Sequence, residues 1–579
     1  MIRLLPYLKK YRKEAVIGPL FKLLEACFEL IVPLVMARII DIGIKNHDLP
    51  YILKMGALLV FFGILGLTCS LTAQFFAAKA AVGFGTELRH DLFSHINGLS
   101  FNEVDQAGSS TLVVRMTSDI NQVQSGVNLV LRLFLRSPFI VAGALVLAFT
   151  IDGKTALIFV AAVPLLALII YGIMMATIPL YRKVQKNLDK VMLTTRENLA
   201  GIRVVRAFCT QKSEKAEFVE ESDALMKIQF HVGRISALLN PMTYVIVNVA
   251  IIAIVWFGGM QVNLGKISQG EVIALVNYMS QILLALLALA NLIVSFTKAL
   301  ASAGRVNEVF DLKSSIKNGK GAEVASKDRK LRVSMDHVDF VYQGDKEPVL
   351  KDITFAAARG ETIGIIGGTG SGKTTLVNLI PRFYDVSAGT VVVDGADVKS
   401  YQLDDLRRQV GMVPQKAILF HGTIRENMQM GQKGATEDAI LEALEIAQAK
   451  EIVEGRAEGL DTMISEGGKN LSGGQRQRLT IARALVRRPE ILILDDSASA
   501  LDFATDARLR KAIAEKTGEM TVFIVSQRAA SIMQADRIIV LDDGRMAGCG
   551  SHKELLASCR TYQEICYSQL SKEEVGSHA

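Results

Sequence analysis

The chain has 579 residues, of which 50% are hydrophobic and 21% are charged, and its formal net charge is +7. The charged residues are unevenly divided, with 49 of them in residues 1–310 and 74 in residues 311–579. This division excludes a single uniform domain, a disordered chain and a collagen-like fibre. It predicts a membrane half joined to a water-soluble half, and the modest net charge gives no reason to expect nucleic-acid binding.

Six apolar stretches in the first half are long enough to cross a bilayer as helices, because about 20 apolar residues span its core. Four of them contain no charged residue, whereas the first and the third contain several. Lysine and arginine are concentrated at the N-terminus and in residues 181–234, so we expect both termini to face the cytosol. The predicted spans are approximately residues 15–40, 55–78, 126–151, 155–178, 241–264 and 272–297.

The two long connections between spans, residues 79–125 and 181–240, mix apolar and charged positions at helical spacing. They predict helices that continue into the cytoplasm and turn back, and each turn would present a short element to a cytosolic domain. Residues 1–310 are therefore predicted to form one transmembrane domain. The polar segment 311–330 is rich in Gly, Ser and Lys, which is typical of a linker.

Residues 331–579 contain short β-rich runs, such as TIGIIG and EILILDD, and helical patterns separate several of them. This alternation predicts an α/β domain with a mostly parallel sheet. The run ILILD ends in Asp495, and a carboxylate at the carboxyl end of such a strand can help to hold Mg²⁺ beside a bound nucleotide.

A phosphate-binding loop is predicted at Gly367–Thr374, which fits the pattern G-x-x-x-x-G-K-[ST] between a predicted strand and a predicted helix. Lys373 is expected to reach the β- and γ-phosphates, and Thr374 is expected to offer its hydroxyl to Mg²⁺. The candidate nucleotide-binding residues here are Gly367, Gly368, Thr369, Gly370, Ser371, Gly372, Lys373, Thr374 and Thr375.

The sequence LSGGQ at Leu471–Gln475, followed by RQRLTIARAL, resembles the signature of the ATP-binding cassette (ABC) family. Together with the six preceding spans, it makes nearly the whole chain resemble an ABC exporter half-transporter. The resemblance implies an all-α, type I exporter-like transmembrane domain of six helices. It also implies an α/β P-loop nucleotide-binding domain with helical and antiparallel-β subdomains.

The resemblance further implies roles for single residues. Tyr342 would stack on adenine, and Gln415 would sense the γ-phosphate and join Thr374 and Asp495 as a Mg²⁺ ligand. Two cassettes packed head to tail would enclose two ATP molecules, each signature acting on the ATP of the other cassette. The signature residues are Leu471, Ser472, Gly473, Gly474 and Gln475, and the D-loop residues that follow the Asp495 strand are Ser499, Ala500, Leu501 and Asp502.

Two positions depart from the family pattern. Asp496 stands where the family usually has the Glu that polarises the attacking water, and Gln527 stands where it usually has a switch His. One methylene fewer withdraws the carboxylate by about 1.5 Å, and a misplacement near 1 Å can cost about a hundredfold in rate. Since the signature is intact, the sequence predicts the degenerate-site subunit of a heterodimeric, bacterial multidrug-type exporter, whose partner has Glu and His. The alternatives are a homodimeric exporter with slow hydrolysis, and an ATP-gated channel or regulatory subunit.

Charged residues inside membrane spans are costly and mark candidate functional positions. Glu25 and Glu29 share one face of the first span, and Arg132 and Arg136 share one face of the third. They are predicted to line or brace an inward-facing cavity, and the alternative is that they form ion pairs within the chain or snorkel to the cytosolic interface. The composition of the cavity favours a lipophilic or amphipathic substrate (drug-like, lipid or peptide). We expect it to be exported across a cytoplasmic membrane, and we expect the membrane to be bacterial.

Overall fold

The computed structural model describes residues 1–321, 330–497 and 499–570. Contacts within the chain divide it into two compact units. The first comprises Met1–Asn97 with Gly108–Leu312, and the second comprises Gly98–Ala107 with Lys313–Ala579. Parts of the predicted linker and of the C-terminal end of the predicted cassette fall outside the described residues.

The first unit is helical, and a 3₁₀ segment, Ile2–Tyr11, precedes its first long helix. In chain order, and including α3 of the second unit, the helices are α1 (Arg12–Arg38), α2 (Leu49–Asn97), α3 (Phe101–Ala107), α4 (Ser109–Val114), α5 (Ile120–Leu133), α6 (Arg136–Ile151), α7 (Gly153–Ala200), α8 (Ile202–Ala207), α9 (Gln211–Ala237), α10 (Leu239–Asn263) and α11 (Gln269–Asp311).

Five helical stretches of the described residues are long and apolar enough to cross a membrane. The first predicted span corresponds to α1, which is less apolar because it carries Lys22, Glu25 and Glu29. Several helices extend well beyond the length that a bilayer core requires, as the mixed composition of the long connections predicted. The five stretches are Leu49–Asn97, Ser109–Ile151, Gly153–Ala200, Gln211–Asn263 and Gln269–Asp311.

The third predicted span, residues 126–151, is not one regular helix. It is divided between α5 and α6, with Phe134 and Leu135 in a turn conformation between them. Pro138 supplies a physical reason, because proline has no N–H to donate to the carbonyl of Phe134 four residues earlier. Residues 126–151 nevertheless lie within the stretch Ser109–Ile151, which is long and apolar enough to cross a membrane, as the prediction of a third span requires.

The core of the first unit forms where α1, α6, α7, α10 and α11 pack together. Small buried residues, such as Ala144, Ala250 and Ala274, permit the close approach of these helices. The fully buried Tyr278 donates its hydroxyl proton to the carbonyl oxygen of Leu30 at 2.8 Å, which ties α11 to α1. Packing and polar contacts between helices thus replace the driving force that water would supply in a soluble core.

Within its described residues, the second unit contains a six-stranded sheet, a four-stranded antiparallel sheet and a two-stranded ribbon. Its strands are β1 (Leu331–Phe340), β2 (Leu350–Ala358), β3 (Thr362–Gly367), β4 (Ala388–Val393), β5 (Ala396–Asp397), β6 (Val410–Val413), β7 (Gly422–Thr423), β8 (Met463–Ile464), β9 (Ile491–Asp495), β10 (Thr521–Val525), β11 (Arg537–Asp542) and β12 (Arg545–Gly550).

The helices of the second unit flank these sheets. They are α12 (Lys373–Asn378), α13 (Leu403–Gln409), α14 (Ile424–Gln429), α15 (Glu437–Ile446), α16 (Lys450–Glu454), α17 (Gly473–Leu485), α18 (Phe503–Lys516), α19 (His552–Ser558) and α20 (Arg560–Gln569). Apolar side chains of α14 to α17 belong to one buried cluster with the six-stranded sheet. This is the expected helical subdomain, and the four-stranded sheet β2-β1-β4-β5 is the expected antiparallel subdomain.

The six-stranded sheet has the order β12-β11-β3-β10-β9-β6, and only β11 and β12 pair antiparallel among these neighbours. The mostly parallel sheet predicted from the sequence is therefore confirmed. Since β3, β10 and β9 are parallel neighbours, their carboxyl ends meet at one edge of the sheet. Gly367, Asp495 and Val525 end these strands, so the segments that follow them are brought together there.

Candidate nucleotide-binding site

The predicted phosphate-binding loop connects β3 to α12, as its strand–loop–helix context required. Gly370 and Gly372 have φ values of +84° and +93°, a left-handed conformation that glycine adopts without strain. A Cβ atom on Gly372 would also lie 3.1 Å from the carbonyl oxygen of Val349. The two glycines therefore allow the backbone to fold tightly, so that successive N–H groups can turn towards one anion.

Lys373 begins α12 and is buried. Its ammonium group donates to the carbonyl oxygens of Gly367 at 2.9 Å and Gly368 at 2.6 Å. Burial lowers the pKa of Lys373, while the negative charges of Asp496 and Asp495 act in the opposite direction. The ammonium group of Lys373 is thus hydrogen-bonded to carbonyl oxygens of its own loop. The charged oxygens of a bound phosphate would be stronger acceptors than these carbonyls.

Thr374 and Asp495 are brought together from α12 and β9, with the threonine hydroxyl donating to the Asp495 carboxylate at 3.0 Å. Asp495 is only 2% exposed. Burial raises the pKa of Asp495, an effect that Asp496 reinforces and that the Thr374 hydrogen bond and Lys373 oppose. A buried carboxylate beside a hydroxyl is a pair of hard oxygen ligands, which suits Mg²⁺.

Asp496 follows β9 with a φ of +46°, in the left-handed region. Its backbone N–H donates to the carbonyl oxygen of Val525 at 3.0 Å, and its carboxylate accepts from the side-chain amide of Gln415 at 3.2 Å. Gln415 lies in the loop after β6, so the structure joins two of the predicted site residues directly. Gln527 lies in the segment that follows the neighbouring strand β10, and it is exposed.

Tyr342 follows β1, and its ring lies at the centre of an aromatic cluster. The ring centroid is 4.8 Å from that of Phe340 and 5.3 Å from that of Tyr384, both in edge-on contact. Its hydroxyl lies 2.9 Å from the Thr375 hydroxyl. Burial raises the pKa of Tyr342, and the Thr375 hydrogen bond offsets part of this effect. The ring is therefore held beside the phosphate-binding loop, and its stacking on adenine stays a prediction.

The signature forms the start of α17. Ser472 caps this helix: its hydroxyl accepts from the Gln475 N–H at 3.2 Å, and its own N–H donates to the Gln475 side chain at 3.0 Å. Such a capping box fixes the first turn of a helix. A Cβ atom on Gly474 would lie 3.3 Å from the carbonyl oxygen of Ala500, so the signature packs on the D-loop.

The D-loop is fixed at both ends. Ser499 donates its hydroxyl proton to the carbonyl oxygen of Asp496 at 2.9 Å, and Asp502 caps α18 by accepting from the Thr505 N–H at 2.9 Å. Arg528 donates to the carbonyl oxygens of Ser499 at 3.1 Å and Leu501 at 3.5 Å. The D-loop and the segment that carries Gln527 are consequently in contact.

The charged residues of the membrane spans form two clusters in the first unit. Glu25 accepts from Lys22 at 2.8 Å, and Glu29 accepts from Arg136 at 2.7 Å. Arg132 is not part of either ion pair, and its Nε atom is buried without a hydrogen-bond partner among the described residues. Pairing, the alternative noted in the sequence, therefore describes three of the four candidates, and Arg132 is the exception.

Sequence reasoning did not single out the residues that join α3 to the rest of the second unit. Tyr384 donates its hydroxyl proton to Asp105 at 2.9 Å, and the rings of Phe101 and Phe383 have centroids 4.6 Å apart. Burial, together with Asp105, raises the pKa of Tyr384. The mixed composition of residues 79–125 predicted a short element at this turn, but it carried no signal for its binding residues.

Comparisons with known proteins agree with this geometry. The ABC transporter transmembrane region family matches residues 15–286, and the ABC transporter family matches residues 350–499. The chain is 36% identical over 575 residues to an uncharacterised ABC transporter ATP-binding protein of Mycobacterium tuberculosis, covering 98% of both chains. It is 32% identical over 493 residues to the ATP-dependent lipid A-core flippase of Syntrophus aciditrophicus, covering 85% of this chain and 81% of that protein.

The fold is also similar to that in the structure of a bacterial Atm1-family ABC exporter with ATP bound. The TM-score is 0.80 at 23% sequence identity, and the match covers 97% of this chain and 99% of that chain. The chain therefore belongs to the ABC transporter family, as a multi-pass membrane protein of the ATP-driven exporter type whose ATPase domain is coupled to transport.

Proposed function

We propose that this chain is one half of a heterodimeric exporter, in which its own ATP site hydrolyses slowly and its signature completes the active site of the partner. The observation that carries the proposal is the position of Asp496. Its short side chain is bound to Gln415 at 3.2 Å, and its backbone is fixed to β10. From this backbone position, the carboxylate of an aspartate reaches about 1.5 Å less far than that of a glutamate.

Gln527 supports the same proposal. A glutamine can donate a hydrogen bond to a γ-phosphate, but it cannot take up the positive charge that a histidine can carry. Both departures, at Asp496 and at Gln527, concern hydrolysis. The groups that bind nucleotide, among them Lys373, Thr374 and Asp495, are complete. The site is therefore suited to binding ATP rather than to cleaving it rapidly.

The signature supports the other part of the proposal. Its capping box is intact and presents the backbone N–H groups of Gly473 and Gly474 at the start of the 13-residue helix α17. A helix N-terminus with free N–H groups attracts anions, and here it would meet the γ-phosphate held by a second cassette. An asymmetric pair requires one subunit with an intact signature and a weakened hydrolysis site. The signature at the start of α17 and the short side chain of Asp496 fit that requirement.

We further propose that Mg²⁺ is bound with ATP by Thr374, Gln415 and Asp495. The hydroxyl and carboxylate oxygens of Thr374 and Asp495 already lie within 3.0 Å of each other. Mg²⁺ would supply positive charge next to the β- and γ-phosphates. Asp495 would bind Mg²⁺ as a carboxylate. Because burial raises the pKa of Asp495, the bound Mg²⁺ would have to stabilise the ionised form against that effect.

The proposed substrate is lipophilic or amphipathic. Because Glu25 and Glu29 are paired within the bundle, Arg132 is the charged candidate that stays available to a bound molecule. One relative is named as a lipid A-core flippase, which favours a substrate with a lipid-like apolar part. Export would follow closure of the two cassettes on ATP, which opens the helical bundle to the other side of the membrane.

We place the chain in the cytoplasmic membrane with both termini in the cytosol, because the cationic residues cluster at the N-terminus and in residues 181–234. The division into a transmembrane domain (1–310), a linker (311–330) and a cassette (331–579) is part of the same proposal.

Affinity purification of the tagged full-length chain from its native membranes tests the pairing. We expect a second half-transporter to co-purify, with Glu and His at the positions of Asp496 and Gln527 and with an altered signature. Recovery of a homodimer alone, active in ATP-dependent transport, would instead support the homodimeric alternative. Recovery of the pair without vectorial, hydrolysis-dependent transport in sealed vesicles would support the channel or regulatory alternative.

A further inference from the structure

The segment Ser526–Ala529, which we call the switch loop, follows β10 and carries Gln527. Its start is fixed by the sheet, since the Ser526 N–H donates to the carbonyl oxygen of Ile365 at 3.0 Å. The Arg528 N–H then donates to the Ser526 hydroxyl at 2.9 Å. The Gln527 side chain is exposed, so its direction depends on what holds the backbone on either side of it.

Gln569, the last residue of α20, holds that backbone at two points. Its side-chain oxygen accepts from the Ala529 N–H at 2.8 Å, and its side-chain nitrogen donates to the carbonyl oxygen of Gln527 at 2.7 Å. Ala529 is fully buried and is the first residue of a 3₁₀ turn, Ala529–Ser531, so its N–H has no partner within that turn. The side-chain amide of Gln569 therefore satisfies the buried N–H of Ala529 and also fixes the peptide group that follows Gln527.

Gln569 is exposed, but buried side chains anchor the helix that carries it. Tyr562 and Cys566 of α20 are fully buried, and the Tyr562 hydroxyl lies 2.7 Å from Nδ1 of the buried His552. A side chain that positions a functional group is effective when its own helix is fixed by packing. The switch loop is thus bound from the C-terminal side by Gln569, and through Arg528 it contacts the D-loop at Ser499.

We propose that Gln569 is a positioning residue of the ATP site, which directs Gln527 towards the γ-phosphate and makes α20 part of ATP recognition. It acts through Gln527, so the proposal rests on the γ-phosphate role that is proposed for that residue. The sequence of α20 contains no nucleotide-binding motif, and only the fold brings Gln569 to the switch loop.

The test compares the affinities of the full-length chain in lipid nanodiscs for Mg²⁺–ATP and Mg²⁺–ADP. In Gln569→Met, we expect ATP affinity to fall about three- to tenfold, the value for losing the hydrogen bond from Gln527 to the γ-phosphate, with ADP affinity nearly unchanged. Only ATP carries the γ-phosphate, whereas a general loss of structure would weaken both nucleotides. Gln563→Met is the matched control, because Gln563 lies on the same helix and donates to the carbonyl oxygen of Leu556 at 2.6 Å, away from the switch loop.

A double-mutant cycle with Gln527→Ala decides whether Gln569 acts through the switch residue. We expect Gln527→Ala to lower the ATP-to-ADP affinity ratio, and Gln569→Met to add nothing further in that background. A normal ratio in Gln569→Met, an equal loss for ATP and ADP, or a full additional loss in the Gln527→Ala background would each overturn the positioning role while leaving the switch role intact. A normal ratio in Gln527→Ala would remove the switch role itself and the positioning role with it.

Discussion

At the scale of single residues, the proposal of slow hydrolysis depends on Asp496, which follows β9. Its φ of +46° is a left-handed conformation that costs a residue with a Cβ atom about 1–2 kcal/mol, although aspartate tolerates it better than most. The hydrogen bonds from its N–H to Val525 and from Gln415 to its carboxylate hold it there. The carboxylate therefore reaches about 1.5 Å less far than that of a glutamate on the same backbone.

Replacing this residue is expected to restore hydrolysis. Asp496→Glu should raise the ATPase rate of the full-length chain by about ten- to a hundredfold, because it removes a misplacement near 1 Å. Asp496→Asn has the size of the native side chain without its charge, and should not raise the rate. Phosphate release at saturating Mg²⁺–ATP measures both, and equal rates in the two variants would show that the carboxylate position is not what limits hydrolysis.

At the scale of elements, α3 is a short helix that belongs to the second unit, although it lies in the long connection between the second and third predicted spans. It is fixed in the second unit by the hydrogen bond from Tyr384 to Asp105 and by the contact of Phe101 with Phe383. Tyr384 also lies edge-on against Tyr342, the proposed adenine-stacking residue, with ring centroids 5.3 Å apart. These contacts link the nucleotide site to α3. We expect them to transmit movement of the cassette to the helices on either side of α3.

Tyr384→Phe removes the hydrogen bond to Asp105 and keeps the ring, a loss of about 1 kcal/mol. We expect the number of substrate molecules transported per ATP hydrolysed to fall, with ATP affinity retained. Tyr401→Phe is the control, since Tyr401 donates to the carbonyl oxygen of Val393 at 2.8 Å inside the cassette. Parallel measurement of flux and phosphate release in proteoliposomes gives the ratio, and an unchanged ratio in Tyr384→Phe would exclude this contact from coupling.

The ion pair of Glu29 with Arg136 joins α1 to α6, and Gln281 of α11 donates to the Glu29 carbonyl oxygen at 3.3 Å. Glu29→Gln leaves the Arg136 guanidinium, whose Nε is buried, without its counter-ion. We expect a loss of about 1–3 kcal/mol, below the value for a fully buried pair because both side chains are partly exposed. Thermal unfolding in detergent should show a lower midpoint for this variant and substantial recovery in Glu29→Gln/Arg136→Gln. A double variant as unstable as the single one would show that the pair does not brace the bundle.

The sequence predicts some elements far better than others. The strands β3 and β9 and the loop after β3 are predictable because their residues are consecutive and their chemistry requires a fixed spacing. The two-residue turn between α5 and α6 is not predictable from an apolar count, because such a count does not register the donor that Pro138 lacks. The contacts of Tyr384 with Asp105 and of Gln569 with the switch loop join residues distant in sequence, so no local pattern indicates them.

At the scale of the whole molecule, the uneven distribution of charge has a physical counterpart on the surface. Large apolar side chains of the long helices are exposed, among them Val60, Leu168 and Trp256, each more than 60% accessible. Such a surface would be a liability in water, whereas the acyl chains of a bilayer cover it without cost. Among the four charged candidates of the spans, Glu25, Glu29 and Arg136 form ion pairs, whereas Arg132 forms neither of these pairs.

In a heterodimer of this kind, the two ATP sites have different roles in one transport cycle. In the proposed pair, ATP bound at the site of this chain keeps the cassettes together, and hydrolysis at the partner's site, completed by Ser472 and Gly474 of this chain, resets the transporter. The cassettes would then stay in contact at the ATP site of this chain while they separate and rejoin at the partner's site.

The turnover of the purified full-length chain in nanodiscs, without a partner, tests the central claim most directly. Enzymes typically turn over about ten times per second, and a hundredfold loss from the misplaced carboxylate gives an expected rate near 0.1 per second or below. ATP should nevertheless bind, and the rate should rise strongly once a partner with Glu and His is added. Hydrolysis at tens per second by this chain alone would contradict the claim that its own site is impaired.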